Sequence, residues 1–146
     1  MRTRVVLLLS AALLLSGGRV AAAQVFNVSN GSAGTLTVNT AVAGMLPASV
    51  TLSSTTYNLF AVGRPRITAR LNSPMPAGTT LYLTLAAPSG ATSHGPVALT
   101  TTAQDLVTNI PFLTSKNGLS ITYEFQATAT AGTVPMQSRT ITLTLQ

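Results

Sequence analysis

Side chains able to move a proton or hold a metal are scarce in this chain. Beyond residue 23 they are His94, Asp105, Glu124, Lys116 and three tyrosines, Tyr57, Tyr82 and Tyr123. A serine activated by His94, with Asp105 orienting the imidazole, is the acyl-transfer arrangement this inventory allows. No Gly-x-Ser-x-Gly elbow accompanies it. His94 lies in Ser93-His94-Gly95-Pro96, a turn-like stretch that favours an exposed loop histidine. Asp105 and Glu124 would serve glycoside hydrolysis only if they converged. Alternation sets Glu124 between Tyr123 and Phe125 and so points it outward from a strand. One histidine and two acids do not fill a zinc shell, and calcium asks for clustered acids. The sequence predicts no enzyme, no cofactor and no metal, with a small secreted hydrolase as the remote alternative.

The one local concentration of charge is Gly63-Arg64-Pro65-Arg66-Ile67-Thr68-Ala69-Arg70. On a strand Arg66 and Arg70 share a face with Thr68 between them, and Arg64, before a proline, belongs to the connecting turn. Arg64, Arg66 and Arg70 together suit an anion: a phosphate, a sulfated or uronic glycan, or an anionic surface polymer. The plainer reading is a solvated strand face. No aromatic residue accompanies them in sequence, which argues against nucleic acid.

The elements that must position these groups follow an export signal. Arg2 and Arg4 form a positive start, Val5 to Leu15 is nearly all apolar, and Ala21-Ala22-Ala23 supplies small residues at a cut expected after Ala23. The apolar run is shorter than the ~20 residues of a membrane-spanning helix, and Arg19 interrupts its extension. Residues 1–23 therefore read as a cleaved secretory signal of bacterial character, and residues 24–146 as one exported domain that does not span the membrane. Its destination is extracellular, cell-surface or periplasmic.

Of 146 residues, cleavage leaves 123; three of the eight basic residues go with the signal, leaving five against Asp105 and Glu124, a net charge of +3. That excess is mild for a nucleic-acid binder. Only 7% of the chain is charged, against ~25% typically, while 46% is hydrophobic, which argues against intrinsic disorder. There is no cysteine, so packing and backbone pairing alone must stabilise the domain. Asn27-Val28-Ser29 and Asn30-Gly31-Ser32 match the N-glycosylation pattern, which stays idle in a bacterial host.

The apolar period is two. Thr79 to Leu85 places Leu81, Leu83 and Leu85 on one face; Leu119, Ile121, Tyr123, Phe125 and Ala127 share another; Ile141, Leu143 and Leu145 alternate with Thr140, Thr142 and Thr144. Thr35 to Val42 alternates in the same way. Further strands are expected over 25–28, 49–52, 57–62, 66–71 and 96–100, with a short helical turn around Asp105. Asn30-Gly31, Pro76-Ala77-Gly78 and Asn117-Gly118 are among the turn signals. The expected fold is all-β, a single antiparallel β-sandwich of about seven to nine strands, Ig-like or jelly-roll.

These clean strands carry few of the charges that blunt sheet edges; the Leu36 and Leu83 strands have none and the C-terminal strand has only Arg139. Such a surface favours self-association or protein partners in the cell envelope. With its signal peptide, one small Thr/Ala/Gly-rich β domain and a final Thr-Ile-Thr-Leu-Thr-Leu strand, the chain loosely resembles bacterial secreted β-sandwich surface proteins of the pilin and spore-coat-protein-U type. The resemblance implies a structural or accessory subunit of a surface assembly. It extends to no site residue and not to the cysteines those proteins usually carry.

Overall fold

The computed structural model describes residues 24–29, 34–39 and 41–146. The expected export signal and the Asn30-Gly31 turn lie outside the described residues. Among the described residues there are nine strands: β1 (Val25–Ser29), β2 (Ala48–Ala61), β3 (Ile67–Leu71), β4 (Thr79–Leu85), β5 (Thr92–Ser93), β6 (Val97–Ala98), β7 (Gln104–Thr108), β8 (Thr114–Ala127) and β9 (Ile141–Leu145). Among the described residues a single 3-10 turn spans Ala129–Ala131. No described helix is long and apolar enough to cross a membrane.

The strands form two antiparallel sheets, one ordered β1-β2-β8-β4-β6 and the other β5-β7-β3-β9. Their inner faces meet in one core. Tyr57, Leu59, Leu83, Leu85 and Ile121 come from the first sheet, and Ile67, Leu71, Leu106, Val107, Ile141 and Leu143 from the second. Alternation explains the division: along β4 every second residue is buried, and Leu81, Leu83 and Leu85 face inward as their spacing requires. Threonines recur at outward positions, such as Thr80 and Thr84 of β4 and Thr142 and Thr144 of β9, where β-branching suits the pleat. The fold is thus all-β and sandwich-like.

Breaks in the alternation are bulges rather than strand ends. The separate strands expected over 49–52 and 57–62 are one strand, β2. Ser53 and Ser54 stand together opposite Thr122, because the register moves from Leu52↔Tyr123 to Thr55↔Ile121. A second bulge on β8 sets Asn117 and Gly118 opposite Asn58, between Tyr57↔Leu119 and Leu59↔Lys116. Asn117-Gly118 is therefore no turn. Its glycine takes φ 69° inside a strand and donates its N–H to Asn58 Oδ1 at 2.9 Å. The helical turn expected around Asp105 is strand β7, in which the register shift opposite Ile67 and Thr68 buries both Leu106 and Val107. Segment 34–39 is not a strand: it is irregular chain with Leu36 packed against the core.

Gly78 fixes how β4 starts. Its φ is 74°, its carbonyl accepts from both the backbone N–H and the hydroxyl of Thr128, and a Cβ there would fall 2.6 Å from the Ala131 nitrogen. Gly78→Ala combines a left-handed backbone with a clash against main chain, and is expected to cost about 2 kcal/mol or more in a denaturant titration. Gly95→Ala, with nothing near its Cβ, should lose only the backbone strain.

Candidate functional site

Arg66 is held at the end of β3 by its main chain. Its N–H and C=O exchange hydrogen bonds with Gln146 at 2.8 and 2.9 Å, which extends the β3–β9 ladder by one pair. Ile67, Ala69 and Leu71 enter the core, so Arg66, Thr68 and Arg70 occupy the outer face, both arginines exposed. Arg64 lies in the bend before β3, ahead of Pro65. Arg64 and Arg66 line one surface depression with Asp105, Asn109, Phe112 and Gln146. Arg70, opposite Thr142, is outside it. The structure therefore brings two of the three arginines together and sets the third further along the strand.

Arg66 is already engaged. Its Nη1 lies 3.4 Å from each Asp105 oxygen, and Nη2 donates to Gln146 Oε1 at 3.2 Å. Both side chains are well exposed, so this pair contributes at most about 1 kcal/mol and leaves the guanidinium open to exchange its partner. Among the described residues neither Arg64 nor Arg70 has a carboxylate partner. Phe112, from the β7–β8 connection, is the residue that sequence spacing missed. It is 67% exposed beside Leu113, which takes φ 59°, and it gives the depression an aromatic wall. It lies far from the arginines in sequence, so only the tertiary fold joins them.

The candidate catalytic groups stay apart. His94 is exposed, and its Nε2 lies 3.0 Å from Thr108 Oγ1. Asp105 faces Arg66, and Glu124 accepts from Gln126 at 2.8 Å on the outer face of the other sheet. Two tyrosines are inside. Burial pushes the Tyr57 hydroxyl well above its ordinary pKa, and it donates to the Ala86 carbonyl. Burial likewise raises Tyr123, with the approach of Thr55 working against that rise. The contact is too loose to satisfy Thr55 Oγ1, which is buried without a hydrogen-bond partner. No three residues among His, Asp and Glu gather into a metal-binding group among the described residues.

The sheet edges differ in how they are protected. Strands β5 and β6 are two residues long, which blunts them. Strand β4, which carries no edge-protecting charge, is interior, between β8 and β6. Strand β9 is an edge of five residues with no charge. The pairs Arg66–Gln146 and Asn72–Thr140 carry its hydrogen bonds to the β3 side. Alternation then turns the main-chain N–H and C=O of Ile141, Leu143 and Leu145 toward the open side. No described strand pairs there.

No family model, no curated protein and no solved structure matches this chain. The site has to be read from its own chemistry.

Proposed function

We propose that this protein is a non-enzymatic, exported structural or interaction protein of the bacterial envelope. It is an Ig-like or jelly-roll domain that joins a surface assembly, as subunit or accessory, through β-sheet edge contacts. The observation that carries this reading is β9: a full-length edge, free of charge, with three residues' main-chain groups directed outward. Adding a strand there satisfies those groups, and β9 itself presents no charge to oppose it. Light scattering after size exclusion tests it. The purified protein should show a mass above the monomer that rises with concentration. Thr142→Lys with Thr144→Lys should return it to monomer by placing like charges on each edge. A monodisperse monomer at high concentration, with no envelope partner recovered, would sink the reading.

The depression favours a second reading, a binding module for an anionic glycan or surface polymer. Arg64 has no acidic partner, Arg66 can exchange Asp105 for another carboxylate or a sulfate, and Phe112 offers an apolar wall to a sugar ring. Changing Arg64, Arg66 and Arg70 together to glutamine should abolish salt-sensitive binding to a sulfated or uronic polysaccharide. Unchanged retention on such a column would end this reading.

A further inference from the structure

The two sheets do not cover each other along their whole length. The second sheet stops at Leu71 and Ile141, while the first continues toward Ala48, Thr79 and Ala127. Over that overhang the inner face of the first sheet meets irregular chain, residues 34–39 and 132–139, instead of strands. A cleft of about 470 Å³ remains, walled by Leu52, Leu81, Phe125 and Ile141, with Leu36 and Val134 on the coil side. That volume falls within the range of small-molecule clefts. Met75 and Met136 also line it; flexible thioethers can adapt to a chain of variable shape.

Among the described residues one charge lines this cleft, the Arg139 guanidinium. Its Nε donates to Pro74 O at 3.1 Å, Nη1 to Ser138 O at 3.0 Å and Nη2 to Gln137 Oε1. Three neutral oxygens thus fix its position, two of its five N–H groups remain to be satisfied, and no carboxylate offsets its charge. Neither acid of the domain can do so: Asp105 pairs with Arg66, and Glu124 lies on the outer face of the first sheet.

We propose that this cleft binds a free single-chain amphiphile with an anionic head, of the fatty-acid class, its tail along Leu52, Leu81 and Phe125 and its carboxylate on Arg139. The larger part of the wall is apolar, which suits a hydrocarbon tail better than a glycan, and a fixed guanidinium with no carboxylate beside it selects an anionic head over a neutral one. This reading is independent of the β9 edge and of the Arg64 depression, which lies at the other end of the second sheet, by Gln146.

Calorimetric titration of the full chain, in the processed form it takes on export, tests it with octanoate, decanoate and dodecanoate below their micelle concentrations. Affinity should rise about fourfold per methylene. Arg139→Gln should weaken decanoate about tenfold or more while leaving decanol unchanged. Retained decanol binding also reports that the variant's cleft is folded. The proposal is overturned if dodecanoate gives no binding at about 1 mM, if affinity does not depend on chain length, or if decanoate and decanol lose equally in the variant. Attachment to anionic vesicles with no uptake of the free acids would likewise replace it with a membrane-surface reading.

Discussion

Tyr57→Ala should lower the stability of this domain by about 3–5 kcal/mol. Tyr57 is fully buried, heads the large side chains of the core and lies against Phe26 with ring centroids 5.5 Å apart, at 45°. Truncation removes the apolar surface and leaves a cavity that the rigid pairing of β2 with β1 and β8 prevents from collapsing. It also strands the Ala86 carbonyl, which accepts the tyrosine hydroxyl in the connection leaving β4. Tyr57→Phe separates the two effects: the ring stays, the acceptor is orphaned, and about 1–3 kcal/mol should be lost. Against a total of ~5–15 kcal/mol for a domain of this size, the alanine variant stands near the threshold of folding, with its Tm lowered by about 10 °C or more. Thermal and urea unfolding of both variants measure this. Equal losses would show that the hydroxyl accounts for the whole effect and the ring for none.

Alkaline instability is the second large effect. In the unfolded chain a tyrosine ionises near pH ~10. In the fold, burial raises both Tyr57 and Tyr123. Below pH ~10 both states hold these protons, and the tyrosines make stability neither rise nor fall with pH. Above it the unfolded state releases protons that the native state keeps, so stability falls as pH rises, by up to about 1.4 kcal/mol per pH unit for each tyrosine. Urea midpoints should therefore stay level through pH ~9 and decline beyond pH ~10, with a shallower decline in Tyr57→Phe. A profile level to pH ~12 would mean that these hydroxyls ionise within the fold as freely as outside it.

The parts of the fold that were legible in sequence have strict alternation and one buried face. Strand β4 has the bounds its leucines dictate, and β9 begins two residues inside the expected span. Thr35 to Val42 has the same pattern, yet its described part pairs with nothing. Alternation says which face a strand would bury; hydrogen bonds need a neighbour that only the tertiary fold supplies. The remaining differences share a cause. Ser53-Ser54, Asn117-Gly118 and Leu106-Val107 each break the period of two, and in sequence such a break is the same whether the strand ends or bulges. Asn-Gly offers the left-handed backbone that a hairpin and a bulge both use. At the candidate site the arginines were readable as a charge cluster. Asp105 and Phe112, which give the cluster its partner and its wall, come from β7 and the connection after it, a distance no local spacing encodes.

The bulges on β2 and β8 bear on how a gene for this domain can change length. Loss of one codon at Ser53 or Ser54 would straighten β2 while keeping Leu52 opposite Tyr123 and Thr55 opposite Ile121. Loss of one at Asn117 or Gly118 would do the same for β8. A codon lost anywhere else in either strand would throw every residue on one side of it onto the opposite face, moving threonines into the core and leucines into water. The two longest strands, which in most sheets would forbid any indel, each contain one place where a single-residue deletion is silent to the core.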